Sequence, residues 1–191
     1  MTNQVPSLQR SIVTGAIGFG LVSLCVFATV GFRETWMYRT FGVPGAYVVW
    51  AVLFVLLSGA VFGSLVVGRW RLPRFYLLFA LAFFAYAGAW MISYFTLGQT
   101  TGEIVGSLAG SILMALVFAL GFGSLKSLLK LSAVLFVSNF LGYFLGAALL
   151  NNVRSLMGML LFGVVYGLFF GAGIGATLQL AQREQPHDRG Y

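Results

Sequence analysis

Ser155 to Leu180 reads SLMGMLLFGVVYGLFFGAGIGATLQL, a run of 26 residues without a charge in which Gly163, Gly167, Gly171 and Gly175 recur at every fourth position. A bilayer core about 30 Å thick takes roughly 20 apolar residues as a helix, so this run is long and apolar enough to span. Lipid tails are as apolar as leucine, so helices in a bilayer associate through close backbone approach, which small residues at spacing four permit. Each step of four advances an ideal helix by about 400°, so the glycine track drifts about 40° per step, which suits a right-handed crossing. Within it, Gly171 to Ala176 removes side-chain bulk from more than one face. That segment is expected either to pack tightly or to bend, since glycine weakens a helix by up to about 1 kcal/mol relative to alanine.

Working outward, the same test divides the chain into six apolar spans: Ser11 to Gly31, Gly45 to Gly68, Phe75 to Leu97, Gly102 to Gly123, Ser127 to Leu150, and Ser155 to Leu180. The whole chain agrees with this solvent. Of 191 residues, 60% are hydrophobic and 8% charged, against roughly 25% charged in ordinary soluble domains. The expected architecture is all-α: a polytopic membrane protein built as a compact bundle of six transmembrane helices with Gly-xxx-Gly packing. Residues 1–10 form an N-terminal tail, 11–180 the transmembrane domain and 181–191 a C-terminal tail. Further glycine tracks run through Gly102, Gly106 and Gly110, through Gly142 and Gly146, and through Gly59 and Gly63.

Lys and Arg in short connections stay on the cytoplasmic side. An inside N-terminus puts Arg10, Arg69, Arg71, Arg74, Lys126, Lys130, Arg183 and Arg189 there and leaves only Arg33, Arg39 and Arg154 opposite. Both termini are therefore expected in the cytoplasm, and in a bacterium the membrane is the plasma (inner) membrane. Ile12 to Val30 exceeds the 7 to 15 apolar residues of a signal core and reads as an uncleaved first helix. The net charge of +7 lies mainly in short connections and tails, so it matches anionic headgroups rather than nucleic acid. Trp70 fits an interfacial anchor, and Pro73 suits a helix start, where its missing N–H is no loss.

The third span carries an aromatic stripe, Phe79, Phe83, Tyr86, Trp90 and Tyr94, with Ala85, Ala89 and Ser93 on another side. The stripe is expected to fill grooves opposite glycine tracks, to face lipid, or to contact a flat hydrophobic ligand. Asn139 lies near the centre of the fifth span, where its amide needs partners: structural glue between helices, or a solute. Glu103 follows Thr100 by three residues, the spacing of a capping box. The stretch Phe32 to Pro44 is expected to lie in the headgroup region, with Trp36 and Tyr38 inward. Alternatively it lids a site where Arg33 or Arg39 meets an anionic solute, hinged by Gly42 and Gly45.

Catalytic chemistry has no foothold here. The sole aspartate and sole histidine are Asp188 and His187, and Cys25 is the one cysteine. Without paired carboxylates in a span, a Cys/His cluster, a phosphate loop or a histidine to ligate haem, neither an enzyme nor a bound cofactor is expected. Two functions remain: a transport-type membrane domain or permease subunit for a small solute, with contacts at Asn139, Tyr86, Trp90, Arg33 and Arg39, or a structural or assembly subunit binding partner helices through its glycine faces. Both imply lipid and either self-association or other membrane subunits as partners, and no nucleic acid.

Overall fold

A computed structural model describes residues 4–68 and 70–184. The tail from residue 185 onward and the basic residues Arg69 and Arg189 lie outside the described residues. Five helices are long and apolar enough to cross a membrane. They are α1 (Leu8–Phe62), α2 (Arg71–Leu97), α3 (Gln99–Phe122), α4 (Leu128–Val153) and α5 (Leu156–Arg183), with one 3₁₀ turn at Leu125–Ser127.

The first run has 55 residues. Laid straight, at about 1.5 Å per residue, it would reach about 82 Å. Instead it turns at Gly42, where φ is 69° and ψ 171°. That left-handed φ favours glycine, and Pro44 two residues on has no N–H to offer a helical bond. The chain then doubles back: ring centroids lie 5.9 Å apart for Tyr38 and Trp50, 6.4 Å for Phe27 and Phe54, and 5.7 Å for Phe19 and Phe62.

Where the sequence reading expects a headgroup segment at 32–44 between two separate spans, the structure carries helix through to the bend at Gly42. Residues 32–41 hold no glycine or proline, and Tyr38 donates its hydroxyl to Glu34 Oε1, one turn back, at 2.9 Å. Such spacing-four pairs support a helix outside hydrocarbon as well as within it. The same hydrogen bond, and then burial, push the Tyr38 phenol up to about 12. In Glu34→Ala it should titrate lower, toward the ordinary value of 10.0, as read by NMR of labelled tyrosine; a titration still near 12 would show that Glu34 is not the main cause.

Local chemistry sets the remaining ends. Ser7 caps α1 by accepting the Arg10 N–H at 3.3 Å, satisfying one of the unpaired donors of a first turn. Pro73 sits in the first turn of α2 as expected. The capping box expected at Thr100 and Glu103 does not form. Helix α3 starts earlier, at Gly98 with φ 80°, without a side-chain cap, so Glu103 falls beyond the first turn. Its other end closes with Ser124 N–H donating to Ala119 O at 2.8 Å, a six-to-one bond. Arg74 of α2 steadies that end, giving Nη2–H to Gly121 O at 2.6 Å with its guanidinium 4.7 Å from the Phe122 ring centroid.

Helix α5 packs most extensively against α1 and α4, α2 against α3, and α3 against α4. The second half of α5 is enclosed, with Gly171, Gly173, Gly175, Ala176, Thr177, Leu178 and Gln179 all buried. It runs without a break through the glycine-rich segment. Gly171 and Gly175 face Gly15 and Ser11 of α1, whereas Gly173 faces Ser138 of α4. On the outside, Leu129 is 84% and Phe95 77% exposed. Such an apolar exterior suits hydrocarbon as the solvent.

Residues 65–67 follow α1 outside any helix, and Leu65 and Val66 are buried. Leu65 N–H donates to Phe62 O at 2.9 Å, and one side chain takes two further backbone groups of the segment. Gln182 of α5 accepts the Val67 N–H at 2.9 Å and donates to Leu65 O at 3.0 Å and Leu178 O at 2.9 Å.

Candidate functional site

Some hydroxyls in the helices return to their own backbone, as Ser58 does to Phe54 O at 2.6 Å and Thr96 to Ile92 O at 2.7 Å, the usual way to hide such a group in an apolar setting. Others do not. Among the buried side-chain atoms without a hydrogen-bond partner are Ser107 Oγ, Ser111 Oγ and Asn139 Nδ2.

Asn139, on α4, is fully buried, and its Oδ1 accepts the Tyr86 hydroxyl of α2 at 2.9 Å. The hydroxyls of Ser107 on α3 and Tyr166 on α5 border the same Tyr86 oxygen. Four helices thus meet at one polar level. One turn along each helix, about 5.4 Å toward the Gly42 end, stands a second level: Trp90 for Tyr86, Glu103 for Ser107, Tyr143 for Asn139 and Phe162 for Tyr166. There Tyr143 donates its hydroxyl to Glu103 Oε1 at 3.0 Å. Rings wall this level. The Tyr143 ring centroid is 6.2 Å from that of Trp90 and 5.9 Å from that of Phe162, and Trp90 stacks on Tyr94 at 5.0 Å.

Glycine brings the column's walls together. A Cβ built on Gly102 would lie 2.7 Å from Tyr94 Cα, on Gly106 2.9 Å from Trp90 Cα, and on Gly110 2.6 Å from Tyr86 Cδ2. The Tyr86, Trp90 and Tyr94 part of the aromatic stripe of α2 therefore lies against this glycine track of α3, whereas Phe79 and Phe83 meet Phe62 and Phe54 of α1. On α4, a Cβ at Gly142 would lie 3.0 Å from Phe169 Cβ and one at Gly146 2.9 Å from Phe162 Cδ2. Gly163 is as close to Phe27 of α1, with a built Cβ 2.9 Å from the Phe27 Cβ.

Of the five contact residues picked from sequence, the structure joins Tyr86 and Asn139 by a hydrogen bond and sets Trp90 one turn above them. Arg33 and Arg39 are exposed on α1 near its bend. Sequence reasoning passed over Tyr143, Tyr166 and Ser107. Their signal is a spacing of four from Asn139, Phe162 and Glu103, which becomes legible only once the facing helices are known.

The two readings of Asn139 divide between its atoms. Oδ1 is interhelical glue, whereas Nδ2–H₂ is a donor without an acceptor, which costs roughly 1–3 kcal/mol when buried. Tyr86→Phe and Asn139→Leu should each destabilise by about 1–3 kcal/mol because each strands the other partner. The double variant should lose less than the two single losses combined, since removing both partners strands neither of them. Equilibrium unfolding in mixed micelles measures this; strictly additive single losses would mean the two groups do not act as a pair. Compared with protein-family profiles, curated proteins and solved structures, the chain matches none.

Proposed function

We propose that the chain is a transport-type membrane domain or permease subunit for a small solute. In this reading α1 crosses the bilayer twice, giving six crossings, and the excess of Lys and Arg holds both termini on the cytoplasmic side. The Gly42 end, with Arg33, Arg39 and Arg154, then faces outward. The observation that carries the proposal is the column itself. The unpaired Asn139 amide donor is buried where the Tyr86, Ser107 and Tyr166 hydroxyls of three other helices converge. A polar group left open inside a membrane bundle is costly, and a bound solute would supply the partner it lacks.

The glycines at 102, 106, 110, 163, 167, 171 and 175 are read as Gly-xxx-Gly contacts within this one chain. All seven are buried, which favours transport over an assembly role built on open glycine faces. Self-association or further membrane subunits complete the reading, and native mass spectrometry distinguishes them. The direct test is flux of small solutes into liposomes containing the whole chain. Protein-dependent uptake should fall at least tenfold in Tyr86→Phe/Asn139→Leu, with its thermal melt retained. No uptake above protein-free liposomes, or uptake unchanged in the folded double variant, would overturn transport through this column.

A further inference from the structure

Glu103 is the one carboxylate set inside the column. It lies five residues beyond Gly98, about 7.5 Å along the helix. The helix dipole favours anions only within the first turn, so neither cap nor dipole accounts for it there. Its hydrogen-bond partner is the neutral Tyr143 hydroxyl. Among the described residues no Lys or Arg pairs with it: Arg33, Arg39 and Arg154 at the same end are exposed, and Arg154 bonds the Asn151 carbonyl at 3.1 Å. A half-buried carboxylate without a counter-charge is under-compensated.

The walls around it have the same electrical sign. Trp90, Tyr94, Tyr143 and Phe162 are linked by ring contacts of 5.0–6.2 Å. Aromatic faces are negative and attract cations, most of all weakly hydrated ones that shed water cheaply. A hard metal ion is poorly served, because it needs several oxygen ligands and the described residues contain no group of three or more His, Cys, Asp or Glu side chains.

We propose that the Glu103 level binds an organic cation, an amine or quaternary ammonium, with its positive centre between the carboxylate and the Trp90 and Tyr143 rings. The inference deepens the transport reading and rests on it for the site's purpose. One turn deeper, Asn139 Nδ2 offers a free donor, so the favoured cation carries a hydrogen-bond acceptor about 5–6 Å from its charged centre. Anionic solutes are repelled from the same level. The site therefore selects by charge first and by the acceptor second.

Isothermal titration of the whole chain in neutral detergent with benzyltrimethylammonium tests this, with the uncharged isostere neopentylbenzene as control. Saturable one-to-one binding of the cation alone is expected. Affinity should fall at least tenfold in Glu103→Gln and severalfold in Trp90→Leu, and should be unchanged in Glu34→Gln, whose carboxylate lies on α1. No saturable binding, equal binding of the isostere, or wild-type affinity in a folded Glu103→Gln would overturn the proposal. If Glu103→Gln fails to give a thermal transition, the charge selectivity of the wild type and the Trp90→Leu affinity decide. The transport reading fails separately: cation binding that depends on Glu103 without flux of any solute removes transport and keeps the site. Flux of an uncharged solute such as glycerol that depends on Asn139, with no cation binding, does the reverse.

Discussion

Gly167→Leu and Gly171→Leu are expected to abolish the folded bundle, each costing about 3 kcal/mol or more through overpacking that the backbone cannot relieve. A Cβ on Gly167 would lie 2.6 Å from Ser23 Cβ and 2.8 Å from Gly20 Cα. One on Gly171 would lie 2.6 Å from Phe19 Cβ and would also fall on the Gly15 carbonyl. Flexible side chains can swing away; a backbone carbonyl moves only with its helix. Separating α1 from α5 forfeits the dispersion contacts that hold helices together where lipid offers no hydrophobic penalty. Gly88→Leu is the matched control, because a Cβ there meets nothing within 4 Å, and leucine should leave stability equal or raise it by up to about 1 kcal/mol. Thermal melts monitored by size-exclusion in detergent read all three. A normal transition in Gly167→Leu or Gly171→Leu would show that α1 and α5 are not held at this distance.

The second large effect is expected for Gln182→Leu. Gln182 is 4% exposed, and its amide satisfies Val67 N–H and Leu65 O, which have left the ladder of α1. Leucine fills similar space but strands both backbone groups, each at about 1–3 kcal/mol, for a total of about 2–6 kcal/mol. The damage should be local before it is global. Trypsin cleavage within residues 63–74 of the natively folded variant should accelerate at least tenfold, while the unfolding midpoint falls. Unchanged proteolysis and midpoint would mean that other groups satisfy this segment.

How much of this was readable in advance depends on which physics fixes each feature. The span boundaries at 75–97 and 127–150 lie within four residues of α2 (Arg71–Leu97) and α4 (Leu128–Val153), because absence of charge is a property of the solvent and needs no knowledge of neighbours. The helix through residues 32–41 was hidden by the same reasoning. Hydropathy marks what enters hydrocarbon, and a charged segment such as Arg33 to Arg39 can be helical beyond it, held by pairs like Glu34 and Tyr38. Glu103 misled differently. Threonine and glutamate three apart suit a cap only if the helix begins at the threonine, and the backbone at Gly98 began it sooner. Phe62-Gly63-Ser64-Leu65 recurs as Phe122-Gly123-Ser124-Leu125, yet the two copies differ in backbone, with φ −59° at Gly63 and 69° at Gly123. Asn139 stood out by residue type alone. Tyr143 and Tyr166 did not, among 8 tyrosines and 19 phenylalanines, since facing depends on which helices pair.

The enclosure of α5 also carries a meaning in time. It is made after the other four helices, yet its second half is packed on every side, with α1 and α4 as its main supports. At roughly 5–20 residues per second, the ribosome leaves Gly15 and Gly20 of α1 without their partner for many seconds after they enter the membrane. During that interval the early helices wait in lipid with a vacant seat at their centre. Ribosome stalling, or a stop codon between residues 156 and 170, would therefore leave a bundle missing its hub rather than a slightly shortened protein, and quality-control proteases would meet exposed Gly-lined grooves instead of a finished fold.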